Sequence, residues 1–236
     1  MNPIIHSENH RTIVYDADRI PEPQFCLMEP DYWLNEGAIR GHAAGRGQTL
    51  LLETSFGPAV LRAYLRGGLP SKISKDRYLY TGLNRTRPFR EFRVLQQLAE
   101  MGLPAPAPLA AECDRGLLAY RGSLLMERIM DVRSLGDVLG QHTVDSPAWA
   151  ATGRCIRKFH VAGLDHADLN ANNLLLNETE MSVHLVDFDR CTLHPGTTVD
   201  GRANLARLKR SLVKLWPGPE ESLAPCWQAL LDAYHA

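Results

Sequence analysis

The sequence predicts a two-lobed α+β protein, with a β-rich N-terminal lobe over residues 1–129 and a reduced, more helical C-terminal lobe over residues 130–236. Short apolar runs separated by turn residues fill the first half, whereas longer segments with helical spacing fill the second. The length of 236 residues accommodates one large domain or two small lobes. A hydrophobic fraction of 44% and a charged fraction of 22% are ordinary for a folded globular chain.

The N-terminal half contains a predicted hairpin followed by a helix. The glycine-rich stretch 39–48 precedes a strand predicted over Thr49–Thr54, and the turn at 55–58 leads to a partner strand over 59–65. Apolar residues recur at helical spacing over 90–101, which predicts a helix that ends at a glycine. The other predicted elements of this half are a strand at 13–15, an extended connection through Pro104, Pro106 and Pro108, and strands at 117–120 and 123–129.

The C-terminal half contains two predicted helices that flank a short strand pair. Helices are predicted over 148–161 and 202–216, and strands over 173–177 and 183–186. The second helix carries a leucine stripe and several basic residues. We expect the stripe to pack into the lobe, although a position at a membrane interface is the alternative.

Composition excludes several classes of protein. The net charge of −1 argues against a protein that coats nucleic acid with overall positive charge. No apolar run reaches membrane-spanning length, and Met1–His10 lacks the pattern of a secretory signal. The five cysteines are odd in number and widely spaced, so we expect buried thiols in a reducing compartment.

The charge is distributed unevenly along the chain. Residues 61–93 hold nine basic and two acidic residues, a net charge of +7, so the rest of the chain carries −8. A local basic block in a neutral protein is typical of a surface for phosphate or anionic lipid, and a solvated face is the plain alternative.

Two short segments of the second half carry the chemistry. The first is His166-Ala-Asp-Leu-Asn-Ala-Asn-Asn173, and the second is the Asp-Phe-Asp of residues 187–189 at the end of a predicted strand. Their order and spacing are typical of the catalytic and metal-binding loops of protein-kinase-like phosphotransferases. Asp168 fits the role of orienting the acceptor hydroxyl and taking its proton, Asn173 and Asp187 are candidate Mg²⁺ ligands, and a scaffold role is expected for His166.

The first half offers candidate groups for ATP. The residues Gly45-Arg46-Gly47 lie between predicted strands, where backbone N–H groups can approach phosphates closely, although the spacing differs from G-x-G-x-x-G. Arg62 lies where kinase-like proteins usually have a phosphate-contacting lysine, and Glu91 on the next helix is placed to pair with it. An ordinary turn and a surface glutamate are the alternatives.

The chain resembles the lipopolysaccharide core kinases, and among them the enzymes that phosphorylate 3-deoxy-D-manno-octulosonic acid (Kdo). The resemblance covers nearly the whole chain after the first thirty or so residues. It depends on the segments VLRAYLRGGLPSKISKDRYLYTGLNRTRPFREFRVLQQL (60–98), GLPAPAPLAA (102–111), HADLNANNLLLN (166–177), VHLVDFDR (183–190) and NLARLKRSLVKL (204–215).

This resemblance implies transfer of the γ-phosphate of ATP, with Mg²⁺, to the 4-hydroxyl of a Kdo residue on a lipid A precursor. It implies a peripheral enzyme at the cytoplasmic face of the inner membrane, with Asp168 as the catalytic aspartate and Asp187 as the metal ligand. Neither a nucleic acid nor a protein partner is implied. The basic block would then bind a phosphorylated glycolipid and an anionic membrane surface. The residues of the block that are candidates for these contacts are Arg66, Lys72, Lys75, Arg77, Arg85 and Arg87.

Two other functions remain open at this point. One is a related heptose kinase or an aminoglycoside-type phosphotransferase, because the acceptor pocket is not encoded in these motifs. The other is an inactive kinase-like module that binds membranes, against which the intact Asp168, Asn173 and Asp187 argue. Protein substrates are not expected, because Asp189 replaces the glycine of D-F-G and only 47 residues follow it, without an A-P-E segment.

Overall fold

A computed structural model describes residues 1–22, 24–43, 49–65, 76–140 and 146–236. The chain forms two compact units. The first comprises Met1–Glu100 and Pro106–Ile129, and the second comprises Met101–Ala105 and Met130–Ala236. The expected mixture of a large sheet and helices is confirmed.

Thirteen strands lie within the described residues. They are β1 (Pro3–Glu8), β2 (Arg11–Asp16), β3 (Ile39–His42), β4 (Thr49–Thr54), β5 (Gly57–Ala63), β6 (Tyr78–Leu79), β7 (Pro108–Arg115), β8 (Ala119–Glu127), β9 (Arg133–Ser134), β10 (Leu164–Asp165), β11 (Leu174–Asn177), β12 (Ser182–Leu185) and β13 (Thr192–Leu193).

The same part of the chain contains six α-helices. They are α1 (Pro30–Asn35), α2 (Arg87–Glu100), α3 (Leu135–Leu139), α4 (Ser146–Val161), α5 (Arg202–Leu215) and α6 (Ala224–His235). Each of them is too short or too polar to span a bilayer. Over the residues described, the first unit therefore has two α-helices around a large sheet, whereas the second has four α-helices and only short strands.

An antiparallel sheet organises the first unit. Seven of its strands follow the order β1-β2-β7-β8-β5-β4-β3, and β6 pairs with β8. Helix α2 packs on β7 and β8 through Phe89, Phe92, Leu95 and Leu98, which are fully buried. A second buried cluster joins β2, β4 and β5 to Trp33 of α1, whose indole N–H donates to the carbonyl of Leu27 at 2.8 Å. The first thirty residues, for which the sequence indicates no role, therefore extend the sheet and close its core.

The region after α2 departs from the sequence expectation. The extended connection predicted through Pro104, Pro106 and Pro108 leads into a strand that was not predicted, β7, which begins at Pro108. The two strands predicted on either side of Arg121-Gly122 are one continuous strand, β8. Gly122 does not break the strand. A Cβ at this position would lie 2.6 Å from the side chain of Pro88, so the glycine allows the start of α2 to approach the sheet closely.

The second unit is a helical assembly around the pair β11–β12. Helix α4 packs against α6 with backbone contact, since a Cβ on Gly153 would lie 2.1 Å from the carbonyl oxygen of Leu230. Leu205, Leu208 and Leu212 of α5 are buried, so the leucine stripe packs into the lobe as expected. All five cysteines are free, and three of them, Cys113, Cys155 and Cys191, are buried.

Candidate active site

The loop that carries Asp168 connects β10 to β11. Its last residues, Ala171–Asn173, form a 3-10 turn, and the side-chain oxygen of Asn170 caps that turn by accepting the N–H of Asn172 at 2.9 Å. The amide groups of Asn170 and Asn173 both donate to the backbone carbonyl of Asp168, at 3.0 and 2.9 Å. The loop is therefore closed around the main chain of Asp168, and its carboxylate takes no part in these bonds.

His166 joins the two chemical segments. Its Nε2 lies 3.1 Å from the carbonyl oxygen of Val186, and its Nδ1 accepts the N–H of Asp168 at 3.3 Å. These contacts require a neutral ring protonated on Nε2. The side chain is 1% exposed, and burial lowers its pKa, which favours the same neutral form. This geometry is that of a scaffold.

Asp187 occupies a constrained position just after β12. Its φ of 65° is in the left-handed region, which aspartate adopts more readily than most residues. Backbone contacts fix it on both sides: the N–H of Val186 donates to the carbonyl of Asn173 at 3.0 Å, and the N–H of Cys191 donates to that of Phe188 at 3.0 Å. These bonds place the Asp187 segment beside Asn173.

The side chains of Asn173 and Asp187 fit a magnesium ion. Among the described residues, no group of three or more His, Cys, Asp or Glu side chains is arranged to hold a metal. Mg²⁺ does not require such a cage, because it is commonly held by one or two carboxylates while water and substrate phosphates complete its octahedron. The Asp187 carboxylate and the amide oxygen of Asn173 are hard oxygen ligands of the required type, and the Asn173 Nδ2 is already used to bond Asp168.

Helix α5 supports the loop through two residues that the sequence motifs do not include. The Oγ of Ser211 accepts the N–H of Ala171 at 3.1 Å. Asn204, only 4% exposed, accepts the N–H of His166 through Oδ1 at 3.0 Å and donates through Nδ2 to the Asp165 carboxylate at 2.8 Å. A polar residue beside a buried leucine stripe was the one sequence signal that could have identified Asn204.

A second buried histidine continues this network to the C-terminal helix. The ring of His160 lies 3.1 Å through Nε2 from the Asn204 oxygen and 2.8 Å through Nδ1 from the hydroxyl of Tyr234. Burial lowers the pKa of His160, so the neutral ring donates to Asn204 and accepts from the tyrosine. A Cβ on Gly201 would lie 2.2 Å from Nδ1, so only glycine leaves room for the ring there. Helix α6 thus reaches the loop that carries Asp168 through three side chains.

The first unit brings Arg62 and Glu91 together. The guanidinium on β5 forms an ion pair with the Glu91 carboxylate on α2, and the hydroxyl of Tyr64 donates to the same carboxylate oxygen at 2.5 Å. Glu91 is 2% exposed, and burial beside this carboxylate raises the pKa of Tyr64 well above its usual value. Glu91 is therefore a buried partner of Arg62 and not a surface acid. Gly45, Arg46 and Gly47 lie outside the described residues.

The candidate lipid or sugar contacts have different environments. Arg77 and Arg85 are exposed. Arg87 stacks on the rings of Tyr78 and Tyr64, at 4.9 and 5.3 Å from their centres, and donates to the Tyr78 hydroxyl at 2.6 Å. Its guanidinium therefore stabilises the packing of the first unit. Arg66, Lys72 and Lys75 lie outside the described residues.

Known proteins are similar to this chain over most of its length. The model of the "Lipopolysaccharide kinase (Kdo/WaaP) family" matches residues 30–234. A 3-deoxy-D-manno-octulosonic acid kinase of Stenotrophomonas maltophilia is 46% identical over 206 residues, which are 86% of this chain and 80% of that protein. The enzyme of the same name from Xanthomonas euvesicatoria is 43% identical over 213 residues, which are 90% of this chain and 84% of that protein.

A solved structure supports the fold. WaaP, determined in complex with acyl carrier protein, superimposes with a TM-score of 0.57 at 16% sequence identity, covering 94% of this chain and 88% of that one. The expected protein-kinase-like architecture is thereby confirmed at the level of the fold.

Proposed function

Since this chain belongs to the lipopolysaccharide kinase (Kdo/WaaP) family, we propose that it transfers the γ-phosphate of ATP to the 4-hydroxyl of a Kdo sugar on a lipid A precursor. Family membership makes it a phosphotransferase that uses a nucleotide. The observation that carries the proposal is the loop around Asp168, in which the main chain is fixed by His166, Asn170 and Asn173. Such a loop fixes the main chain that carries the carboxylate, and none of these bonds uses the carboxylate itself.

In the proposed reaction, the Asp168 carboxylate accepts a hydrogen bond from the sugar hydroxyl and orients its oxygen toward the γ-phosphorus. The new O–P bond forms as the bond from the γ-phosphorus to the β-phosphate oxygen breaks, ADP leaves, and the hydroxyl proton passes to Asp168. His166 does not exchange protons in this scheme, because both of its ring nitrogens are engaged with the main chain. Its part is to hold the loops of Asp168 and Asp187 together.

Asn173 and Asp187 are the residues proposed to hold Mg²⁺. When bound, the ion neutralises charge on the transferred phosphate. Arg62 is the proposed phosphate contact of the first unit. Its buried ion pair with Glu91 restricts the guanidinium, and arginine is always charged and matches phosphate geometry in a bidentate way.

We propose that the enzyme works at the cytoplasmic face of the inner membrane, where a lipid-linked acceptor would be presented. The basic block over residues 61–93 supports a surface for anionic lipid. Two exposed members of that block, Arg77 and Arg85, are available for such a contact. The acceptor itself is proposed from the family and its named relatives.

A direct acceptor comparison tests this function. The purified chain, ATP and Mg²⁺ are incubated with a Kdo-lipid A precursor, a heptosylated precursor and an aminoglycoside, and phosphate incorporation is measured by mass spectrometry. We expect phosphorylation of the Kdo precursor only, with the new phosphate on the 4-hydroxyl by NMR. Phosphate on heptose or on the aminoglycoside alone would refute the acceptor, and no transfer to any of the three would refute the activity.

A further inference from the structure

Three leucines at one end of the large sheet are unusually exposed. Leu117, Leu118 and Leu79 are 91%, 71% and 67% exposed, the three highest values for large apolar side chains in the described part of the chain. Leu117 and Leu118 form the turn between β7 and β8, and Leu79 lies on β6 beside Ala119. The N–H of Tyr80 donates to the carbonyl of Leu118 at 3.0 Å, which joins the two segments. We call Leu79, Leu117 and Leu118 the leucine tip.

The leucine tip is held rigidly. The N–H of Gly116 donates to the carbonyl of Ala119 at 2.7 Å, which closes the β7–β8 turn in two residues. The N–H of Arg115 donates to the carbonyl of His10 at 2.9 Å, which anchors the end of β7 to the β1–β2 turn. Since ordered backbone bonds surround these leucines, their exposure is a built feature of the hairpin.

Tyrosine rings lie directly behind the tip. The ring of Tyr120 is 5.6 Å from that of Tyr78 and 6.3 Å from that of Tyr80. The guanidinium of Arg115 lies 4.4 Å from the centre of the Tyr80 ring. Tyr120 is only 4% exposed, whereas Tyr78 and Tyr80 are half-buried. Partly exposed tyrosines are enriched where proteins meet the boundary between lipid and water.

The charge around the tip is positive. Segments 76–80 and 114–121 contain Arg77, Arg115 and Arg121 against Asp76 and Asp114, which gives a net charge of +1. Asp76 is paired with Arg121 at 2.6 Å, and Arg77 and Arg115 are exposed. Exposed leucines at a hairpin turn with exposed arginines nearby suit an anionic bilayer, whose acyl chains take up apolar side chains and whose phosphates attract cations.

We propose that the leucine tip inserts into an anionic lipid bilayer while Arg77 and Arg115 bind headgroup phosphates. This proposal rests on the proposed function only in that the acceptor is itself a lipid. Burying one leucine side chain favours the bound state by roughly one to two orders of magnitude, so three leucines and a positive surface suffice for reversible attachment. A protein partner is less well matched, because interface anchors typically fill pockets and these leucines form a projecting turn.

The test is flotation of the full chain with vesicles that contain no acceptor and no nucleotide. Vesicles of phosphatidylcholine are compared with vesicles holding about one third phosphatidylglycerol. The variant Leu117→Ser/Leu118→Ser is compared with Leu34→Ser, a matched control because Leu34 is 65% exposed on α1 of the same unit. We expect the double variant to lose at least ten-fold in vesicle affinity and the control to lose nothing. Circular dichroism establishes that each variant is folded.

The charge contribution is tested separately. Arg77→Gln and Arg115→Gln should each weaken binding about five-fold on anionic vesicles and have little effect on neutral ones, because a lipid-facing arginine adds a salt-sensitive attraction. Equal vesicle affinity of wild type and the double leucine variant would overturn the proposal. So would a wild-type dimer in light scattering that becomes a monomer in the leucine variant, since a second copy would then occupy the tip. If the acceptor assay fails while vesicle binding is intact, the proposed function is refuted but the proposed membrane insertion of the leucine tip is not.

Discussion

Asn204 of α5 accepts the backbone N–H of His166 at 3.0 Å while its amide donates to the Asp165 carboxylate at 2.8 Å. One neutral side chain therefore fixes two consecutive residues at the start of the catalytic loop. The buried His160 ring bonds the same Asn204 oxygen, so three groups depend on this residue. The position of the catalytic loop is set from a helix that carries none of the motif residues.

Replacing Asn204 with leucine should reduce both stability and turnover. The substitution leaves the buried His166 N–H and the Nε2–H of His160 without their acceptor, while the Nδ1 of His160 keeps its bond to Tyr234. Each unmet buried polar group costs about 1–3 kcal/mol. We expect a loss of at least about 2 kcal/mol in urea unfolding. At a temperature where the variant is folded, kcat should fall while the KM for ATP changes little. Arg210→Ala, at an exposed position of α5, is the control and should match wild type in both measurements.

Asp168→Asn should remove transfer and preserve the fold. The backbone bonds of Asp168 remain available, because they involve its N–H and C=O and not its side chain. Losing a general base typically costs about 10²–10⁴-fold in rate. Phosphate transfer and nucleotide affinity are measured side by side with Asp232→Asn, an exposed aspartate of α6. Wild-type turnover in the Asp168 variant would contradict the assignment of Asp168 as the general base.

Asp187→Asn should abolish the dependence of nucleotide binding on Mg²⁺. Asparagine tolerates the left-handed backbone at this position, so the substitution adds no backbone strain. Asp187→Val should lose stability as well, because a β-branched side chain is strained there. Nucleotide affinity is titrated with and without Mg²⁺. An unchanged affinity at fixed Mg²⁺ would contradict a metal role for this carboxylate.

Arg62→Leu should destabilise the first unit by about 3 kcal/mol, because it leaves Glu91 buried without its cation. Arg62→Lys retains a charge and should lose less stability. The KM for ATP should nevertheless rise, because lysine lacks the bidentate fork proposed to contact phosphate. The exposed pair Arg202–Asp200 provides the control. Arg202→Leu should produce no measurable change in unfolding, since surface ion pairs contribute little. Equal stability of Arg62→Leu and Arg202→Leu would argue against a structural role for the buried pair.

The free energy of unfolding should decrease below pH 6.5. Burial lowers the pKa of His160, His166 and His184 below the ordinary value of 6.5. The unfolded chain then binds more protons, so stability present above pH 6.5 is lost as the pH falls toward the folded-state values. Urea unfolding between pH 8 and 5.5 measures the slope. His160→Gln should make the slope shallower, whereas a slope that matches wild type would show that His160 does not titrate in this range.

The sequence predicted correctly those elements whose boundaries depend on neighbouring residues in the chain. The strand Thr49–Thr54 has the predicted bounds, and helix α2 begins three residues before the predicted start. The wrong prediction at Gly122 has a different origin. From the local sequence alone, Arg121-Gly122 is typical of a turn. The glycine is instead required inside the strand because the side chain of Pro88, 34 positions away, packs against it.

In the candidate site, too, the residues set by local sequence were predicted and those set by distant contacts were not. The spacing of Asp168, Asn173 and Asp187 was visible because consecutive loops and strands bring these residues together. Asn204 and Tyr234 were not identified, since their roles depend on bonds to residues 38 and 74 positions away. A polar residue beside the leucine stripe marks the position of Asn204, but no local pattern encodes its distant partners. The aromatic residue of α6 gives no signal of a polar role.

The backbone contact between Gly153 and Leu230 and the bond from Tyr234 to His160 make α6 a support of the loop that carries Asp168. A protease cut or a premature stop codon before Ala224 would leave every residue of the kinase motifs in place. Such a product would lose the support of α4 and the last link to the catalytic loop. A genome survey that relies on motifs alone would therefore count it as an intact enzyme, although we expect it to be inert.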